Sequence, residues 1–91
     1  MARVFITHKV RDYDAWKTGY DDDAPRREGA GLNEVGHFHT TDDRNSFLIV
    51  WDTAMSAADT TAMVTGMLGD PELAARMEEA GVLEKPEFWV A

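Results

Sequence analysis

Hydrophobic and polar residues alternate from Arg3 to Val10, with Val4, Ile6, His8 and Val10 on one side and Phe5, Thr7 and Lys9 on the other. A period of two predicts a strand with one more apolar face. The period then changes. Behind Asp12, a good N-cap, Tyr13, Trp16 and Tyr20 recur at steps of three and four and predict a helix, with Asp22–Arg26 and Asp23–Arg27 as favourable pairs one turn apart. Pro25 sits inside this pattern, where its ring and missing N–H should kink the helix or split off a last turn. Gly29 and Gly31 supply the stop.

Glu34 to Thr41 and Ser46 to Thr53 read as two strands joined by the turn residues Asp42, Asp43, Arg44 and Asn45, and so as antiparallel neighbours. Ser56, three residues before Asp59, resembles a capping box and opens a helix carrying Ala58, Ala62, Met63 and Met67 as far as Gly69. Asp70 followed by Pro71 starts another at once, with Leu73 and Met77 as its buried stripe and Gly81 as its end. Pro86 to Val90 reads as a last strand, and a proline that cannot donate to a ladder fits an edge position.

The order strand, helix, strand, strand, helix pair, strand matches the α+β, ferredoxin-like βαββαβ plan. Right-handed crossovers then place all helices on one face of a four-stranded antiparallel sheet. Yet the third strand, Phe47 to Trp51, is apolar at every position and has no water-facing side. Leu48 and Val50 therefore need cover on the helix-free side, each worth roughly 1.5 to 3 kcal/mol if buried. No segment of the chain is left to provide it, so the expected partner is a second copy, in a homodimer or larger assembly whose sheets meet face to face.

Composition narrows the function. A chain of 91 residues buries roughly 64% of its unfolded surface and holds one core and one domain, residues 1–91. Its 44% hydrophobic content and nine aromatic residues exclude a disordered tail. A net charge of -8, with only Arg26 and Arg27 adjacent, argues against nucleic acid or an anionic membrane as partner. The absence of cysteine removes disulfides, thiolate metal sites and a cysteine nucleophile together. Val4 to Ile6 is too short an apolar stretch for a signal peptide or a membrane span, and a cytoplasmic location is the default expectation.

The stretches Phe5-Ile6-Thr7-His8-Lys9-Val10, Leu48-Ile49-Val50-Trp51-Asp52 and Asp70 to Met77 resemble the first strand, third strand and last helix of the dimeric α+β barrel superfamily. That group includes antibiotic-biosynthesis monooxygenases, IsdG-like haem-degrading enzymes, muconolactone isomerases and stress-responsive barrel proteins. The resemblance implies a homodimer with a reaction cleft between sheet and helices. In it, Trp51 matches the tryptophan lining the cleft of haem-degrading members, and His8 falls where they keep a catalytic asparagine. Met77 stands where they place the histidine that binds haem iron, so haem is not expected and the implied chemistry is cofactor-independent. The implied substrate is a small aromatic or polyketide-like molecule, converted by a monooxygenase, cyclase or isomerase reaction. A noncatalytic barrel of the stress-responsive kind is the alternative.

His8 is the candidate general base, since a strand histidine facing a half-apolar cleft could take a proton from a carbon or phenolic acid. It reads equally as a buried or rim imidazole bonded to backbone. Tyr20, Trp51, Phe38 and Met77 are the candidate substrate-binding residues; Tyr13 and Trp16 read as core. His37 and His39 have the H-x-H spacing at which two imidazoles reach one metal, but His8 as a third ligand lies across a gap of two strand spacings over which three rings cannot easily converge, so no metal is expected. If the hairpin loop is the four residues Asp42 to Asn45, Thr41 faces Ser46, Phe38 faces Ile49 and Gly36 faces Trp51. Both histidines then point away from the Trp51 side, and a one-residue change or a bulge reverses them. Consecutive carboxylates at Asp21 to Asp23 splay around a helix and cannot share a cation. Gly29-Ala30-Gly31 at a helix end is no dinucleotide fingerprint, and Ser46 and Ser56 read as turn and cap residues, leaving no serine triad.

Overall fold

Eight elements follow one another in a computed structural model that describes residues 1–91. They are β1 (Ala2–Lys9), α1 (Tyr13–Asp22), α2 (Ala24–Gly29), β2 (Asn33–His39), β3 (Ser46–Thr53), α3 (Ala57–Leu68), α4 (Pro71–Glu79) and β4 (Phe88–Val90). The strands lie in the order β2-β3-β1-β4 with every neighbour antiparallel, which is the ferredoxin-like arrangement. As predicted, β4 is an edge strand, although Pro86 lies outside it. No helix is long and apolar enough to cross a membrane.

Local chemistry sets the helix ends. Asp12, Ser56 and Asp70 each accept a backbone N–H of the first turn they cap, from Asp14, Asp59 and Glu72. Pro25 splits the first helix in two, at Asp23. The break also re-pairs the charges: Asp23 takes Arg26 at 2.6 Å and Arg27 at 3.9 Å, and the expected Asp22–Arg26 pair does not form. Gly31 and Gly81 adopt φ of +84° and +91°. After each, the chain bonds back into the helix it leaves, Leu32 N–H to the Arg27 carbonyl and Val82 N–H to the Met77 carbonyl.

The hairpin departs from the expected register. Thr40, not Thr41, pairs with Ser46, because Asp43 organises a longer loop: its carboxylate accepts the Asn45 N–H and its carbonyl accepts the Thr40 hydroxyl. Asn45 then ties the loop to the start of α1 by accepting the Tyr13 N–H at 2.8 Å. In consequence Phe38 pairs with Leu48 and His37 with Ile49. His37 and His39 thus face the helices, and Phe38 faces the opposite side, the reverse of the four-residue reading. Between Glu34 and Gly36 a β-bulge inserts Val35.

The core lies on the helix side of the sheet. Val4, Ile6, Phe47, Ile49 and Trp51 pack there against Tyr13 and Trp16 of α1, Leu32 and Val64 of α3. In α3 the buried residues are Thr60 and Val64, while Ala58 and Ala62, expected in its apolar stripe, are exposed. The buried Thr60 hydroxyl donates to the Ser56 carbonyl at 2.7 Å, which satisfies it. Leu73 and Met77 of α4 are only half-buried, and no residue of that helix is fully covered. On the helix-free side, Gly36, Val50, Phe5 and Trp89 form one row across the strands. Phe5 and Trp89 stack there with centroids 5.4 Å apart, and the Phe38 ring lies over Gly36.

Gly81 requires a left-handed backbone, so Gly81→Ala should cost about 1–2 kcal/mol. Gly66, in the middle of α3 with nothing within 4 Å of an added Cβ, should behave oppositely, and Gly66→Ala should stabilise by about 0.5–1 kcal/mol. Urea denaturation of the two variants checks the pair of signs.

Candidate functional site

Because α4 does not close down on the sheet, a cavity of about 350 Å³ remains between the helices and the β1–β3 surface. That is large enough for a small organic molecule. Its strand-side wall includes Ile6, His8, Ile49 and Trp51; α1 contributes Trp16 and Tyr20, and α4 contributes Leu73 and Met77. The exposed Asp22, Arg26 and Arg76 stand at its mouth. The wall is mostly apolar, so each polar atom within it matters.

His8 projects from β1 among aromatic rings, 5.3 Å from Trp16 and 5.6 Å from Phe47 between centroids. Its Nδ1 is buried and has no hydrogen-bond partner. Burial, helped by the nearby His37, pushes its pKa down to about 4, so the imidazole is neutral at pH 7. An orphaned buried nitrogen is costly in a finished core, and the ring that carries it lines the cavity.

A hydrogen-bonded chain runs from the cavity to the sheet edge. Trp51 Nε1–H donates to Tyr20 Oη at 2.9 Å, and the Tyr20 hydroxyl donates to Glu34 Oε1 at 2.7 Å. His37 Nε2 lies 2.7 Å from the same Glu34 oxygen, and its Nδ1 lies 2.8 Å from the Tyr13 hydroxyl. Burial outweighs the pull of Glu34 and lowers the His37 pKa. Burial of Glu34 is in turn outweighed by the bond from Tyr20 and the pull of His37, and its carboxyl titrates below the ordinary range. Burial and then the bond to Glu34 raise the Tyr20 phenol far above its usual value. Over the Tyr20 ring lies the guanidinium of Arg27, 3.5 Å from the centroid.

Of the residues singled out from sequence, His8, Tyr20, Trp51 and Met77 border this cavity. Phe38 does not. The one-residue shift in the hairpin turns it to the helix-free side, where it is 55% exposed and borders a separate open hollow beside Leu48 and Pro86. His37 and His39 do not converge on a common point with His8: both nitrogens of His37 are engaged, and His39 Nδ1 bonds the Arg44 carbonyl at 2.7 Å. Glu34 and Arg27 were not anticipated. Glu34 and His37 are three apart on a strand and should point to opposite faces; the bulge at Val35 brings them to one side.

Neither the family models nor the curated proteins contain a match to this chain. Solved structures do match. A protein from Agrobacterium tumefaciens superposes over 100% of this chain and 91% of its own, with a TM-score of 0.63 at 16% identity. An uncharacterized NIPSNAP domain protein from Burkholderia xenovorans gives 0.61 at 16% identity, over 100% of this chain and 92% of its own. A protein of Nitrosomonas europaea, provisionally named an antibiotic biosynthesis monooxygenase, gives 0.55 at 10%, over 100% of this chain and 96% of its own. At these identities the likeness establishes the fold alone, the ferredoxin-like α+β arrangement.

The buried imidazole makes a pH prediction. Its folded pKa of about 4 lies below the unfolded value, so the neutral form contributes stability above about pH 6.5, and that contribution is lost as pH falls toward the folded pKa. Between about pH 7 and pH 5 the loss should be roughly 2 kcal/mol. In His8→Gln most of that slope should vanish, leaving the smaller part due to His37. Urea midpoints at the two pH values, for both proteins, measure it.

Proposed function

We propose that the cavity between helices and sheet binds a small aromatic or polyketide-like molecule, and that His8 acts on it as a general base. The observation that carries this reading is the neutral, largely buried imidazole of His8 on the wall of a largely apolar cavity, with no side-chain hydrogen bond to hold it. A neutral imidazole there can accept a proton from a phenol or enol. Proton transfer leaves an imidazolium beside a phenolate or enolate, and in a site poor in water each charge stabilises the other. That anion can then react with oxygen, cyclise or isomerise. The Nitrosomonas europaea protein of the same fold carries a monooxygenase name, which supports an oxygen-consuming version.

A noncatalytic binding role is the second reading, and the low basicity of His8 favours it: an imidazole titrating near 4 is a weak base until an anionic ligand raises its affinity for protons. Native mass spectrometry for a retained organic ligand, followed by oxygen uptake with that compound, separates the two. In the catalytic case His8→Ala should lose roughly 100-fold or more in turnover while still binding the compound. The acid limb of kcat/KM for the free protein should fall near the His8 value of about 4, not near 6.5. Turnover unchanged in His8→Ala would remove the assigned role.

We also propose that two copies associate through the helix-free faces. Trp89 and Phe38 are each about half exposed on that side, next to Phe5 and Leu48, and every helix packs on the other. Sedimentation should give about twice the chain mass of 10.2 kDa. Leu48→Glu combined with Trp89→Glu should reduce it to the single-chain value with the far-ultraviolet circular dichroism retained. A wild-type protein that sediments as a single chain would sink the association.

A further inference from the structure

One polar group on the cavity wall has its hydrogen-bonding direction decided by its neighbours. An indole N–H only donates, so Tyr20 Oη accepts from Trp51 at 2.9 Å. An ionised carboxylate only accepts, so the Tyr20 proton is committed to Glu34 at 2.7 Å. The same Glu34 oxygen lies 2.7 Å from His37 Nε2, and the Tyr13 hydroxyl lies 2.8 Å from His37 Nδ1. With His37 neutral, this chain has one consistent polarity: Tyr13 O–H donates to Nδ1 and Nε2–H donates to Glu34. Two donors converge on Glu34, which keeps it ionised. Arg27, its side chain 9% exposed and stacked on the Tyr20 ring at 3.5 Å, holds the phenol in place. What Tyr20 can still offer a ligand is a lone pair, not a proton.

We propose that Tyr20 Oη is a hydrogen-bond acceptor for the ligand, so that the cleft selects a phenol or hydroquinone over a ketone or quinone of the same shape. The proposal rests on the ligand-binding reading of the cleft and narrows its substrate class. A hydroxyl placed at Tyr20 is satisfied. A carbonyl oxygen there meets another acceptor and is buried without a donor, which disfavours it by roughly tenfold or more. Glu34 is a specificity-determining residue that acts through Tyr20, and it has no need to touch the ligand.

The test is isothermal titration of the full chain with 1-naphthol and 1-tetralone, which share a carbon skeleton and carry a hydroxyl or a carbonyl at the same carbon, the variants serving as controls for the saturation of the second ring. The wild-type protein should prefer 1-naphthol, and Tyr20→Phe, which lacks the oxygen, should reduce the ratio of affinities at least tenfold. In Glu34→Gln the amide can accept from His37 and donate to Tyr20, which frees the phenol proton, so the ratio should fall at least tenfold or invert. Glu34 is half exposed, and circular dichroism confirms that the variants fold. If both probes bind but Tyr20→Phe and Glu34→Gln keep the wild-type ratio, the acceptor assignment is wrong while the binding site stands. If neither probe binds the wild-type protein, the ligand-binding reading fails and this assignment fails with it.

Discussion

The pairing of β2 with β3 governs the chemistry of this fold more than any other interaction. Thr40 sits opposite Ser46 because Asp43 and Asn45 build a loop one residue longer than the turn residues alone suggest. In a strand the side-chain period is two, so that single residue sends His37 and His39 to the helix side and Phe38 to the other. The bulge at Val35 then adds Glu34 to the same side as His37. The bulge puts Glu34 and His37 on one side, and the longer loop makes that side the one where Tyr20 lies.

The cavity owes its existence to incomplete packing of the second helical layer. α1 seals its part of the sheet with a cluster in which Tyr13 and Trp16 are buried against Phe47. α4 has no comparable anchor; Leu73 and Met77 reach toward the sheet without meeting it. The space left is walled mostly by apolar side chains, with charged residues at its mouth, and two polar side chains of the wall, His8 and Tyr20, differ in kind. His8 is unpartnered and neutral, whereas Tyr20 is fully committed on two of its hydrogen-bonding directions. A small molecule entering such a site is oriented by few groups, each strongly felt because little water competes.

The helix-free side shows a complementary economy. Val50 is 3% exposed although no helix covers it, because the Phe5–Trp89 stack flanks it on one side and Phe38 leans over Gly36 on the other. Two of these rings, Phe38 and Trp89, are themselves half exposed, which moves the apolar surface outward to the sheet boundary. The Phe38 ring lies 3.5 Å from where a Cβ of Gly36 would be, an ordinary contact distance. The residue assigned from sequence to the cleft is thus part of the opposite face.

Element order, caps, the Pro25 break and the edge position of β4 were legible in the sequence because each depends on residues within a few positions of one another. The same holds for β3, whose unbroken apolar run marks a strand that needs cover on both faces. His8, Trp51 and Met77 were placed at the cleft by the family resemblance and Tyr20 by its depth in the first helix, and all four border the cavity. Which way β2 faces was not legible, because a loop of four residues and a loop of five are both compatible with the same turn-forming composition. Tertiary bonds from Asn45 to Tyr13 and Arg11 select the longer one. Glu34 as the hub of a hydrogen-bonded chain was likewise hidden, since a bulge is a property of two paired strands and leaves no periodic trace in either alone.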